Sequence, residues 1–430
     1  MSCGQKAMLL GQERGNERSV SMPGLKRDGS RRRRCPLCEK YDPELLANLV
    51  FAHGAKAILP ATYRVVVCRK CGFVYDDVDV GAETFEKYYA VSGKYAQRGI
   101  GGSGDLSQID RLRYEGIVKF IEPVLRFGPG FVSIADVGGG KGGLLRVFKE
   151  HGYVVLHGFD PSPACVAMLR EQHGIPATRM GITDLGRVRK KFDLVVVSNV
   201  FEHLFNLHDA IDAVGNVLKD GGLVYVDVPD ASRYHRCFYA PYYSFDMEHI
   251  NHFNVATMMD AWARHGYECI KTEELFGTPV PGRRIPMCRM LFRKNKCLVK
   301  RRGEGPAGGV RKFVEKSRLA EKLLETRPIP DGCYYWGWGA YAKWLKNRFA
   351  DTSLGSPEII FDAGVIKSFA ERINGIPLVK VSEMREIADM CRPMVITSVL
   401  YERQILAELQ KMGWKGPIYS GATGVRKRFR

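Results

Sequence analysis

Apolar and polar positions along the chain alternate between two regimes. Short apolar runs at residues 132–137 (VSIADV), 153–160 (YVVLHGFD), 192–198 (FDLVVVS) and 223–230 (LVYVDVPD) have the length and β-branched content of buried strands. Between them, in 144–152 and 164–173, apolar residues return at helical spacing. Strand and helix in turn predict parallel βαβ units, an α/β fold. Upstream, Ile109, Leu112, Ile117, Phe120, Ile121 and Leu125 mark a helix laid across the sheet. Downstream come a helix at 255–268, two closing strands within 270–297 and an amphipathic helix at 310–325, punctuated by Pro328 and Pro330. A second α/β unit is predicted from strands at 333–336, 358–362, 373–379 and 394–398, a helix at 340–349 and a final helix.

The first strand runs into a glycine turn, Gly138-Gly-Gly140-Lys-Gly142-Gly143, and then a helix. Glycines let a ligand approach the backbone, and the helix start presents free N–H groups. Gly138-x-Gly140-x-x-Gly143 satisfies the dinucleotide fingerprint, so the glycines alone leave NAD and S-adenosylmethionine open. Asp136, two residues before the first glycine, separates them: it would repel a pyrophosphate and hold an α-ammonium.

Charge and cysteines change the picture in two places. Half of the net charge of +18 lies in residues 26–34 (KRDGSRRRR) and 426–430 (RKRFR), segments expected to be solvated ends. The remaining excess suits an anionic substrate such as a nucleotide diphosphate. Of twelve cysteines, four pair as Cys35-x-x-Cys38 and Cys68-x-x-Cys71. Two such knuckles complete the tetrahedral thiolate shell of structural Zn2+, a closed site with no catalytic position, with 63–67 as a strand of the knuckle. No apolar run reaches membrane-span length and the N-terminus lacks a hydrophobic signal core, so a cytoplasmic location is expected.

Asp136-x-Gly138-x-Gly140-x-Gly142 resembles the first motif of the class I S-adenosylmethionine-dependent methyltransferases. The resemblance implies a Rossmann-like seven-stranded sheet that binds the cofactor through Asp136, Gly138, Gly140 and Gly142. Asp160, at the end of the second strand, would take the ribose hydroxyls. Asp184 in Gly181-Ile-Thr-Asp184 would meet adenine, unless it is only a turn acid. Asn199 faces the sulfonium by position. Glu202-His203-Leu204 recurs in this methyltransferase branch; His203 is a substrate-side candidate, with local helix-start bonding as the other reading of the pair. Residues 85–104, rich in Tyr and Gly, read as a covering loop in which Tyr88, Tyr89 and Tyr95 are substrate contacts or packing residues.

Residues 234–254 (YHRCFYAPYYSFDMEHINHFN) are dense in aromatics, as a sugar or nucleobase wall requires. Glu248-His249 resembles the signature of sugar C-methyltransferases, in which the histidine is the proposed base. Here Glu248 is expected to orient His249, while Asp246 stands where that family usually has tyrosine; His252 is expected to be structural. After a basic leader expected to be disordered (1–34), the order of parts is similar to that family: a four-cysteine zinc module (35–80), the methyltransferase domain (81–300), a helical linker (301–330) and a small Rossmann-like domain (331–425). That last domain has Gly337-x-Gly339-x-x-Ala342, and either props the substrate pocket or binds a nucleotide. The resemblance implies methylation at carbon or oxygen of a nucleotide-linked sugar or related glycan precursor. An RNA methyltransferase and a non-catalytic cofactor-binding scaffold are the competing readings.

Overall fold

In the computed structural model the described residues are 32–52, 57–91, 107–294, 303–364 and 372–429. Strands β1 (Pro43–Val50), β2 (Thr62–Cys68) and β3 (Val74–Asp77) form an antiparallel meander. Helix α1 (Ala82–Val91) follows, where Tyr and Gly content suggests a loop. Phe85, Tyr88 and Tyr89 explain the helix: spaced i, i+3 and i+4, they share one face. Tyr95 lies outside the described residues.

Helix α2 (Gln108–Ile121) starts at Ser107, whose hydroxyl caps the Asp110 amide. The βαβ units are β4 (Ser133–Val137), α3 (Gly143–Glu150), β5 (Val155–Asp160), α4 (Pro163–Glu171), β6 (Ala177–Arg179), β7 (Phe192–Ser198), α5 (Leu207–Asn216) and β8 (Leu218–Pro229). β9 (Asn251–His252), α6 (Val255–Ala263) and the long hairpin β10 (Tyr267–Val280) and β11 (Arg283–Lys294) complete this part. The sheet runs β10-β11-β8-β7-β4-β5-β6, seven strands, with the five from β4 to β8 parallel and the hairpin antiparallel. Strand order reverses between β4 and β7, which opens a crevice at their carboxyl ends.

The rest comprises α7 (Ala307–Glu325), β12 (Tyr334–Trp336), α8 (Ala340–Arg348), β13 (Ile359–Asp362), β14 (Arg372–Ile373), β15 (Ile376–Lys380), α9 (Met384–Ile387), β16 (Met394–Ile396), α10 (Glu402–Met412), β17 (Ile418–Ser420) and β18 (Arg426–Lys427). β15-β13-β12-β16-β17 is a five-stranded parallel arrangement flanked by the antiparallel edges β14 and β18. Its first turn echoes the other sheet: the Asp362 carboxylate accepts from the Trp338 amide at 2.7 Å.

The parts are not packed as separate beads. β9 adds to β3, so the cysteine-bearing sheet has order β1-β2-β3-β9 and takes a strand from the later chain. One apolar core joins Leu46 and Tyr63 of that sheet, Tyr234 and Phe245, Phe313 of α7, and Trp344 of α8. Tyr242 meets Trp344 edge-on at 5.4 Å, and Tyr234 meets Phe313 at 5.8 Å. The aromatics of 234–245, read from sequence as a substrate wall, therefore seal this core, because an apolar junction between layers takes large rings first. The described residues from 32 onward form one compact unit. No helix among the described residues is long and apolar enough to cross a membrane.

Candidate active site

A cavity of about 680 Å³ occupies the crevice, and its lining runs from Asp136, Gly138–Gly140, Asp160 and Asp184 at one end to His203, Glu248 and His249 at the other. At the first end the chain turns sharply after β4. Gly138 and Gly140 have φ of +72° and +53°, and a Cβ on Gly139 would sit 2.7 Å from an Asp136 carboxylate oxygen. Gly142 lies apart from the lining: its missing Cβ makes room for Leu169, so this glycine serves helix packing. Asp160 accepts from the Gly140 amide at 2.9 Å and the Ser162 amide at 2.8 Å, each oxygen keeping a lone pair for a further donor. Burial pushes the Asp136 carboxyl up to about 7, with Asp160 adding to the shift; burial also raises Asp160 to about 6. Asp184 stands at the rim, paired with Arg187 at 3.2 Å.

Asn199 follows β7 with φ of +50°, a left-handed conformation uncommon outside glycine. Its amide donates to the carboxylate and carbonyl of Asp227 at 3.0 and 3.1 Å, which hold the strained turn. The turn then delivers Glu202, buried, and His203. His203 Nδ1 lies 3.0 Å from both the Glu248 carbonyl oxygen and the Tyr89 hydroxyl. A carbonyl only accepts, so Nδ1 carries the proton and Nε2 keeps its lone pair. Burial, then the neighbouring His249, pushes His203 down to about 4. The two imidazoles meet edge-on with centroids 4.8 Å apart.

The Glu248 carboxylate accepts from the Tyr88 hydroxyl at 2.8 Å, whereas His249 Nδ1 faces the Asp246 carboxylate at 3.7 Å. The other Asp246 oxygen accepts from the Glu248 and His249 amides, both at 2.8 Å, and so fixes the turn. His252 is fully buried, away from the cavity, with Nε2 3.4 Å from Asp76.

Two arginines escape a reading of the sequence. Arg113 of α2 lines the cavity; it reaches the Ser198 hydroxyl at 3.4 Å, and its buried Nε has no hydrogen-bond partner among the described residues. Nothing distinguishes it in sequence from a solvent-facing arginine of an amphipathic helix. Arg33, within the basic segment, is 4% exposed. Its guanidinium donates to the carbonyls of Ile250 (2.9 Å), Leu204 (3.1 Å), Phe205 (2.9 Å) and Asp76 (3.4 Å) and to Asn251 Oδ1 (2.9 Å). A run of arginines conceals which one is buried. The segment is thus anchored from Arg32 onward, although the sequence suggests a leader to residue 34.

The lining also corrects the charge argument. Asp136, Asp160, Glu202, Asp246 and Glu248 outnumber Arg113 and Arg179, so the cavity is acidic while the body is basic. Such a lining favours a sulfonium, an ammonium or a metal cation. The four cysteines come together: Cys35 and Cys71 Sγ lie 3.6 Å apart, as do those of Cys38 and Cys68, and all four lie within 4.8 Å of one another. The edge of a tetrahedron with Zn–S bonds of about 2.3 Å is about 3.8 Å, so the donor set and spacing fit zinc.

Residues 110–272 match the sequence profile of a family described as a methyltransferase domain. No curated protein matches the chain. Among solved structures, the chain is similar to an S-adenosylmethionine-dependent methyltransferase from Mesorhizobium loti, with 19% identity, 40% of this chain and 95% of that chain covered and a TM-score of 0.34. It is also similar to an N-methyltransferase from Bradyrhizobium japonicum in complex with S-adenosylhomocysteine, with 15% identity, coverage of 50% and 97% and a TM-score of 0.36. A third is the magnesium protoporphyrin IX methyltransferase of Synechocystis with bound cofactor, with 13% identity, coverage of 51% and 100% and a TM-score of 0.36. Residues 110–272 form a methyltransferase domain. The protein is a methyltransferase.

Proposed function

We propose that the protein methylates a nucleotide-linked sugar or a related glycan precursor, with S-adenosylmethionine at the β4 end of the cavity and the acceptor at the histidine end. The observation that carries this reading is the single cavity spanning both ends, from Asp136 and Asp160 to His203 and His249. S-adenosylmethionine supplies an electrophilic methyl group on a sulfonium. Asp136 would hold the ammonium of that molecule, Arg113 its carboxylate, Asp160 the ribose hydroxyls and Asp184 the adenine edge. Asn199 lies on the sulfonium side. At the acceptor end His249, oriented by Asp246, is assigned the proton-accepting role, with Glu248, His203, Tyr88 and Tyr89 around the acceptor. An uncharged sugar ring suits that acidic end; the diphosphate belongs outside it. The cysteine cluster is assigned a structural zinc, and this assignment together with the Glu248-His249 motif supports the sugar C-methyltransferase reading.

Calorimetric titration with S-adenosylhomocysteine, then UDP- and dTDP-sugars, and separately NADH, tests the assignment. Binding of S-adenosylhomocysteine and of a nucleotide sugar is expected. S-adenosylhomocysteine without any nucleotide sugar would overturn the substrate, and NADH alone would overturn the cofactor.

A further inference from the structure

Glu202, His203 and His249 present three ligand atoms within 4.8 Å of one another at the acceptor end of the cavity. They come from two separate segments, the turn after β7 and the turn before β9, which Arg33 and Asn251 tie together. His203 is held through Nδ1, and His249 turns Nδ1 toward a carboxylate. His203 Nδ1 donates to the Glu248 carbonyl at 3.0 Å, and His249 Nδ1 faces the Asp246 carboxylate at 3.7 Å. A partner on one ring nitrogen leaves the other for a metal, the arrangement that supports ligating histidines generally. His203 Nε2 is 4.0 Å from Glu202 Oε1. The other Glu202 oxygen, Oε2, is buried without a hydrogen-bond partner among the described residues, and the side chain is 2% exposed. A buried carboxylate lacking donors is costly unless a cation or a proton satisfies it.

We infer that Glu202, His203 and His249 bind a divalent first-row cation beside the methyl-transfer position, with coordination positions left open for acceptor oxygens. Two imidazoles and one carboxylate suit ions such as Mn2+, Fe2+ or Co2+. Ligand atoms on bonds of about 2.1 Å would lie about 3 Å apart, so closure requires movements of about 1 Å, within side-chain rotation. The site differs from the cysteine cluster in having nitrogen and oxygen donors and open positions. Resting on the sugar reading above, the open positions would take two adjacent oxygens of the acceptor. The metal-bound hydroxyl loses its proton to solvent or Asp246, and its oxygen lone pair forms the bond to the methyl carbon. As that bond forms, the carbon–sulfur bond breaks, with its electron pair remaining on sulfur. His249 would then be a ligand, and the proton-accepting role assigned to it above would pass to Asp246 or solvent.

Mn2+ titration of the full chain with excess S-adenosylhomocysteine, followed by electron paramagnetic resonance, tests the site without any acceptor. Mn2+ is a poor partner for thiolates, so the cysteine cluster stays silent. One bound Mn2+ per chain is expected, with nitrogen couplings from imidazole. Glu202→Gln and His249→Asn should each weaken it at least about tenfold while binding S-adenosylhomocysteine within about twofold of the parent. No bound Mn2+ up to about 1 mM, or binding unchanged in both variants, would overturn the inference. Should Glu202→Gln not fold, His249→Asn, on the more exposed side, decides alone. Failure of nucleotide-sugar binding with Mn2+ bound would overturn the sugar and leave the metal site standing.

Discussion

Asp136 and Asp160 show how one residue type is tuned by position. Both carboxyls are raised by burial, Asp136 to about 7 and Asp160 to about 6, from 3.8. In the ligand-free protein the fold then binds more protons than the unfolded chain between about pH 4 and 7. Their contribution to stability is complete at pH below 4 and is lost as pH rises through the folded values. S-adenosylhomocysteine, whose ammonium favours the ionised form, should reverse that trend. Its affinity is expected to rise from pH 5 to about 7 and level off. Asp136→Asn should weaken S-adenosylhomocysteine at least about tenfold and raise the melting temperature of the ligand-free protein at pH 8. Thermal unfolding and calorimetry between pH 5 and 8 check both; an affinity in the parent that does not change with pH would remove Asp136 from the ammonium site.

Turns between elements set the geometry of the histidine pair, and Arg33 links them. It satisfies carbonyls at 204, 205 and 250, and its guanidinium lies 4.7 Å from the Phe205 ring centre. Arg33→Met would take the donor from the Phe205 carbonyl, while the Leu204 and Ile250 carbonyls keep Asn251 Nδ2 and the Asp76 amide, at a cost of about 1–3 kcal/mol. Lysine cannot replace the planar fork. Turnover should fall more than affinity for S-adenosylhomocysteine, since Asp136 and Asp160 sit on β4 and β5, away from the clamp. Urea unfolding together with S-adenosylhomocysteine titration separates the two effects; equal losses in affinity and turnover would count against a positioning role. Helix α1 teaches a related lesson. Its Tyr–Gly composition suggested a loop, yet the face made by Phe85, Tyr88 and Tyr89 is what puts the two tyrosine hydroxyls on Glu248 and His203.

Across the whole molecule, the cysteine cluster and the site are joined by one strand pair. Cys68 ends β2, β3 follows, and β3 pairs with β9 through Val74–His252 and Tyr75–Asn251, two residues beyond His249. Removing the assigned zinc with a chelator, or Cys68→Ser, should therefore raise amide exchange in 249–253. Turnover should drop about tenfold or more, while S-adenosylhomocysteine binds within about threefold. Hydrogen exchange by mass spectrometry reads this directly, and exchange unchanged at 249–253 would cut the proposed link. The shared core of Tyr63, Tyr234, Phe313 and Trp344 gives the molecule its continuity, where the sequence had suggested consecutive modules.

The sequence by itself determined the local grammar: buried strands from apolar runs, the Asp136–Gly142 turn, the acid at the end of β5 and the two cysteine knuckles. Each is legible because its chemistry depends on neighbours within a few residues, or on spacing that one ion or one turn enforces. The residues that complete the site were decided by tertiary structure. Arg33 among identical neighbours, Arg113 on an ordinary helix and the placement of Glu202 beside both imidazoles each depend on segments far apart in the chain. Burial decides what such polar groups do, because in a low-dielectric interior each needs a partner, and only the packed chain decides which partner it meets.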